Sequence, residues 1–333
     1  MKILTTHRPG GAWAYITDGW LNAFKAANIQ CARWDGKPES WNAFDPDLYI
    51  GCSGHRQPIP TKRRAKVAIH VNPYGSTGIP GIDESKDAIA WTKTQRPDAV
   101  FGYGHASDIS YWDKWVKELC PWVPMPTAGD STIFGLRGPG QDIDVGYVGG
   151  RWPYKAKNID VYLLPVFRTV KSVVYGWGGW PAGVSQGPID EPKVPEFLSR
   201  CKICPCIAEP HTTQYGIDVP ERVFKVILSG ALAIHDPVRG LERYIPSIQM
   251  AKDPMDFLSL IGKWLAASEV ERQEVAFRQR QEVLNAHTYF HRLAGLLQQV
   301  GFKPEADKML YTADCFRTMC ATGWDRAFPT DNR

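Results

Sequence analysis

Along the first part of the chain, short apolar runs alternate with polar or glycine-bearing turns and with stretches of helical periodicity. The run from Lys2 to His7 is followed by others at Ile29–Asp35, Asp47–Ser53, Ala65–Asn72 and Asp98–Gly104, each with the length and content of a buried strand. Between the first two, Ile16, Trp20, Leu21 and Phe24 recur at helical spacing, which predicts an amphipathic helix over Trp13–Ala27. Residues 73–97 are richer in Gly, Pro and Ser and predict a loop with a short helix. Strands that alternate with helices imply a parallel sheet covered on both faces.

The rhythm breaks at Gly135-Leu136-Arg137-Gly138-Pro139-Gly140, a stretch composed like an interdomain linker, and then restarts. Strands are expected at Asp144–Val148, Val170–Trp177, Lys202–Ala208, Ala231–Asp236 and Ile248–Lys252. Residues 253–300 read as mostly helical, with Phe257, Leu260, Ile261, Trp264 and Leu265 on one stripe. The expected division is 1–138, 139–302, and a terminal segment 303–333 carrying Trp324 and Phe328 that crosses back to the first domain. No repeat of 20–50 residues recurs, which argues against a solenoid.

Composition narrows the class. The 333 residues are 44% hydrophobic and 22% charged, with 13 Trp and a formal charge of +4, a balance that suits a globular protein handling phosphorylated ligands. No segment reaches the run of about 20 apolar residues that a membrane helix needs. No apolar leader follows the first strand, so the expected location is the cytoplasm, or a host's cytoplasm for a virus-encoded chain. Cys201, Cys204 and Cys206, with His211 beyond, offer metal ligands on paper. Their run alternates like a strand and lacks the two separated pairs of a zinc site, so reduced structural cysteines and no metal are expected.

Open parallel sheets bind ligands beyond the carboxyl ends of their strands. His7, His55, His70 and His105 lie at or past the ends of four predicted strands of the first half, and His211 and His235 at two of the second. Imidazole accepts a proton near neutral pH and, charged, stabilises a leaving phosphate. His105, Asp108, His70 and Asp18 are therefore the candidates to position or deprotonate an acceptor. Asp108 also reads as a first-turn acid of a helix. Gly10 and Gly11, directly before the first helix, and Gly149-Gly150-Arg151, after the strand at 144–148, are candidate phosphate cradles, although neither forms the dinucleotide fingerprint. His55, Arg56, Lys62, Arg63 and Arg64 form a basic loop and are the candidate acceptor contacts.

The segment from Tyr215 to Asp236 carries the sharpest pattern. Asp218 is the expected helix cap, Pro220 falls in the first turn, Val223, Phe224, Ile227 and Leu228 face a core, and Gly230 stops the helix. Glu221 and Lys225 are spaced to pair with each other. Here the sequence resembles the GT-B glycosyltransferases of the group-1 type, in particular the spore-maturation-protein-like branch. The matching residues are Gly216, Arg222-Val223-Phe224, Ser229-Gly230-Ala231 and Asp236, with Asp144–Gly149 and His287-Thr288-Tyr289-Phe290-His291-Arg292 as further stretches.

That resemblance implies two Rossmann-like domains whose parallel sheets face a central cleft, the second holding a nucleotide-sugar donor and the first an acceptor. It implies Gly149, Arg151, Arg222 and Glu221 near the donor, with Lys225 standing where relatives often carry a ribose-binding Glu. In that case either Glu221 or Asp218 takes over the ribose, or the donor sits differently. Transfer from a UDP-sugar without an obligatory metal is the expected activity, with a hydroxylated base of viral DNA as one acceptor and a saccharide, lipid or protein as others. A nucleotide-sugar epimerase and a non-catalytic binding module of the same fold are the rival readings. His287 and His291, four apart, are expected to be structural, since the glutamate of a zinc-protease helix is missing.

Overall fold

The computed structural model describes residues 1–7, 10–71, 86–105, 120–137, 140–215 and 219–321. The chain divides into two compact units. The first comprises Met1–Ala128 with Tyr289–Asp314, and the second Gly129–Thr288 with the residues from Cys315 on.

The first unit is built on six parallel strands: β1 (Lys2–Thr5), β2 (Gln30–Arg33), β3 (Leu48–Cys52), β4 (Lys66–His70), β5 (Ala99–Gly102) and β6 (Trp122–Pro124). Their spatial order is β2-β1-β3-β4-β5-β6. Strands β3 to β5 are buried almost throughout, as near-continuous apolar runs in a parallel sheet must be. The three-residue β6 was not expected. It follows Pro121 and ends on Pro124, which an edge strand tolerates, and it is the edge.

The helix Ala12–Ala26 buries Ile16, Trp20 and Phe24 as their spacing requires. Its Gly19 lets the ring of Tyr289 come so close that a Cβ there would lie 2.4 Å from it. Tyr289 opens the helix Tyr289–Gln299, which returns the chain to this unit, with Arg292 donating to the carbonyls of Pro126 (2.9 Å) and Thr127 (3.4 Å). The return thus begins at Tyr289, ahead of residue 303. The helix Lys303–Ala321 follows, with Lys308 Nζ donating to the carbonyl of Asn28 at 2.9 Å. Trp324 and Phe328 lie outside the described residues.

The second unit has five parallel strands, β7 (Ile143–Val148), β8 (Ser172–Tyr175), β9 (Cys201–Cys206), β10 (Leu232–His235) and β11 (Gln249–Met250), in the order β11-β10-β9-β7-β8. The helix Glu221–Leu228 turns Val223, Phe224, Ile227 and Leu228 into one core cluster with Cys204 and Cys206. It starts with Pro220 in the cap position rather than Asp218, which lies outside the described residues. Gly230 ends it at φ +87°, where a Cβ would also strike Leu136 at 2.2 Å. The long helical region resolves into Pro254–Ala266, Glu269–Ala286 and Tyr289–Gln299. Asp253 caps the first, and Ser268 with Glu271 forms a reciprocal capping box on the second. Among the described residues no helix is long and apolar enough to cross a membrane.

Candidate functional site

In a doubly wound sheet the crevice opens where the strand order reverses. In the first unit that point is between β1 and β3, and their carboxyl ends carry His7 and His55. The two rings meet edge to face with centroids 5.2 Å apart. Burial, and next the neighbouring His7, holds the His55 imidazole below its ordinary pKa. Gln57 Oε1 ties this turn together, accepting from the Thr6 hydroxyl at 3.3 Å, the His7 amide at 3.4 Å and the Tyr49 hydroxyl at 3.2 Å. Gly11, at φ +64°, precedes the helix Ala12–Ala26, and nothing stands within 4 Å of where a Cβ on Gly10 or Gly11 would be. Open space therefore borders the first amides of a 15-residue helix, which suits an anion.

The four acid–base candidates part ways here. Asp18 is ion-paired with Arg33, so its carboxylate is already engaged. His70, the last residue of β4, is 3% exposed and fully desolvated, which pushes its pKa down to about 3. A base that weak does not take an acceptor proton near neutral pH. His105 is exposed, three residues past the end of β5. Asp108 lies outside the described residues.

The basic loop does not stay together. His55 and Arg56 follow β3 at the carboxyl edge, whereas Lys62, Arg63 and Arg64 precede β4 at the amino edge, roughly 15 Å away along a five-residue strand. Parallel strands force this, because the connection must run back the full length of the sheet. Arg63 is also turned inward, donating to the carbonyls of Gln95, Arg96 and Pro60, and burial lowers its pKa. Arg64 pairs with Asp45 at 2.8 Å beside a cavity of about 440 Å³ that Trp41 and Lys62 also line.

The second unit reverses between β7 and β9. Arg222, the second residue of the helix Glu221–Leu228, reaches the end of β7, donates to the Val148 carbonyl and lies over the Tyr147 ring at 4.5 Å. Its Nε is buried without a hydrogen-bond partner. Gly149 is a glycine because of this: a Cβ there would sit 2.5–2.9 Å from the guanidinium. Gly150 likewise admits the ring of Trp177, which stays 61% exposed. Trp180 Nε1 donates to the Gly149 carbonyl at 3.2 Å.

Arg151, expected at the donor, is committed elsewhere. It grips Asp160 with both Nε (2.9 Å) and Nη2 (2.8 Å), and the Gly179 carbonyl with Nη1 (2.6 Å). Asp160 sits in the π-helical turn Ile159–Leu163, a distortion often found at functional sites.

Glu221 and Lys225 do pair, at 2.6 Å and both buried; burial pushes the carboxyl up and the ammonium down while their attraction opposes both shifts. A second buried cation, Lys155, meets Glu209 at 2.9 Å beside His211, whose ring stacks on Tyr154 at 5.9 Å. His235 and Asp236 are wholly inside. They pair at 2.8 Å, and Asp236 accepts the Ala208 amide at 3.0 Å, so the acid that ends the strand holds the neighbouring loop.

Lys155 and Lys157 follow the Gly149-Gly150-Arg151 turn in sequence as further candidate phosphate cations, but sequence reasoning missed Glu209 as the partner of Lys155, and it missed Trp177 and Trp180. The last two had a readable signal, Gly176-Trp177-Gly178-Gly179-Trp180, at the end of the strand predicted over Val170–Trp177 and directly after the observed β8.

His287 and His291 share no helix. His287 ends Glu269–Ala286 and packs against Tyr244 at 5.5 Å, while His291 belongs to the next helix and the other unit. Burial raises the thiol of Cys204 far above its ordinary pKa and that of Cys206 to about 12, which keeps both protonated within the core. Among the described residues no three His, Cys, Asp or Glu side chains gather as metal ligands.

Residues 145–298 match the family model described as glycosyl transferase-like. No curated protein matches the chain in sequence. Among solved structures, the T4 phage DNA-modifying β-glucosyltransferase with UDP-glucose is 16% identical, with TM-score 0.60 over 92% of this chain and 100% of that one. The trehalose-6-phosphate synthase OtsA is 7% identical, with TM-score 0.59 over 94% and 99%. TarM of S. aureus, solved with UDP, is 12% identical, with TM-score 0.55 over 79% and 58%. The fold, two parallel-sheet α/β units, is that of the GT-B class. The glycosyl transferase-like match spans most of the second unit and ends in the helix Tyr289–Gln299 of the first.

Proposed function

We propose that the chain transfers a sugar from a UDP-sugar to a hydroxyl on a modified base of DNA. The observation that carries the donor half is Arg222. It stands at the β7 end with an unpartnered Nε, next to the amino end of its own helix and a turn of two glycines. A nucleoside diphosphate leaving group gains from a guanidinium fork and helix-end amides. Glu221, beside Arg222 in the same first helical turn, is the carboxylate for the ribose, and Lys225 tempers it as its ion-pair partner. The C1–O bond to the diphosphate breaks, a C1–O bond to the acceptor forms, and the acceptor proton passes to a base for which His105 and Asp108 are the candidates.

The DNA acceptor is supported by likeness, over 92% of this chain, to the T4 phage enzyme, a DNA-modifying β-glucosyltransferase. Membership of the spore-maturation-protein-like branch is supported by Arg222-Val223-Phe224, Ser229-Gly230-Ala231 and Asp236. Cytoplasmic location fits a DNA substrate. A saccharide acceptor is the second reading, favoured by the fold shared with a trehalose-6-phosphate synthase.

The test is a panel of UDP- and GDP-sugars offered with hydroxymethylated DNA or with free saccharides, each with and without a chelator, because one T4 phage structure holds UDP with Mn2+. Sugar appearing in DNA from a UDP donor is the expected result. Transfer only to saccharides overturns the acceptor, and isomerised donor with no transfer overturns the reading altogether.

A further inference from the structure

The carboxyl end of the first unit holds a cluster of rings that the transfer chemistry leaves unused. Trp13, in the first turn of the helix Ala12–Ala26, and Tyr103, just past β5, are both half-buried, their centroids 5.9 Å apart and tilted by 38°. His70 closes the cluster from below, 4.5 Å from Trp13 and 4.8 Å from Tyr103, and Phe101 backs it at 5.5 Å. Its Nδ1 faces the Cys52 sulfur at 3.9 Å, while its Nε2 is buried with no hydrogen-bond partner. A buried polar atom left unpaired costs about 1–3 kcal/mol, a cost that a ligand with a hydrogen-bonding edge removes. The position, past the ends of β4 and β5, is where such sheets receive ligands.

We propose that Trp13, Tyr103 and His70 seat the acceptor's nucleobase, its ring stacked on the Trp13–Tyr103 pair and its polar edge meeting His70 Nε2. The proposal rests on the DNA-acceptor reading. Aromatic faces stack any base, and enzymes that act on a base must take it out of the duplex into such a pocket. Desolvation keeps His70 neutral across the physiological range, so it presents one constant hydrogen-bonding nitrogen rather than a titrating one. His70 then binds the base, and the acceptor proton leaves by another group.

The test uses the full chain with two single-stranded oligonucleotides, one carrying 2-aminopurine as a stacking reporter and one carrying 5-hydroxymethylcytosine as acceptor. Binding is expected to quench the reporter. Trp13→Ala and Tyr103→Ala are each expected to lose the quench and raise the acceptor KM roughly 10-fold, with acceptor-free hydrolysis of the donor unchanged. Trp13→Phe, which preserves packing, is expected to restore most of the affinity. His70→Phe is expected to raise KM while kcat and its pH profile hold, a split that a proton-accepting residue would not show.

Unchanged KM and quench in both alanine variants would overturn the base seat and leave the DNA reading standing. Wild-type protein that ignores both oligonucleotides yet glycosylates a saccharide would overturn the two together.

Discussion

The carboxyl ends of the two sheets differ in kind although the strands beneath them follow one pattern. In the first unit the crevice is lined by rings and by imidazoles that burial keeps neutral: His70 under Trp13 and Tyr103, and His55 against His7. In the second it is lined by full charges, nearly all bound to a partner: Arg222 on Val148 and Tyr147, Arg151 on Asp160, Lys225 on Glu221 and Lys155 on Glu209. One crevice is suited to a planar neutral group and the other to a polyanion. The fold places both crevices, and the side chains decide which substrate each receives.

The comparison is most exposed to Arg222→Ala. It is expected to lower donor kcat/KM roughly 100-fold and leave acceptor oligonucleotide binding intact, as read by calorimetry and initial rates; an equal loss on both substrates would dissolve the distinction. Next is Lys225→Met, which strands the buried Glu221 carboxylate. A loss of about 3 kcal/mol in denaturant melts is expected, with Glu221→Gln added to recover most of it.

A smaller effect is the pH dependence of the first unit. His70 has an ordinary pKa of 6.5 and a folded one of about 3, so between those values the unfolded chain binds the extra proton. The contribution is complete above pH 6.5 and declines by about 1 kcal/mol per pH unit as pH falls toward 3. Melts from pH 7 to 4.5 should show this slope, and His70→Phe should flatten it. The smallest effect concerns the amino edge. Lys62→Ala with Arg64→Ala is expected to change acceptor KM less than about two-fold, Arg64 being in an exposed pair, whereas His55→Ala with Arg56→Ala raises it.

Much of the fold was legible because its signals are local. Apolar runs such as Leu48–Cys52 and Lys66–His70 announce buried strands, and Gly230 announces a helix stop. β6 escaped because a three-residue strand that follows one proline and ends on another carries no period. The site was harder to read. Arg151 looked like a phosphate ligand because Asp160, nine residues on, gave no hint that a π-helical turn would bring its carboxylate to the guanidinium. Lys62, Arg63 and Arg64 looked continuous with His55 because sequence distance hides the direction in which a loop runs.

By itself the chain's pattern determined two parallel sheets, the helix that carries Arg222, and the crowding of histidines and glycines at strand ends, since all of these follow from backbone period and neighbouring residues. Only the tertiary structure decided which charges are spent on partners, which imidazoles are drained of basicity by burial, and why Gly149 and Gly150 lack side chains. Those properties depend on contacts across tens of residues and on the water excluded around each group, and neither is written in any local stretch of sequence.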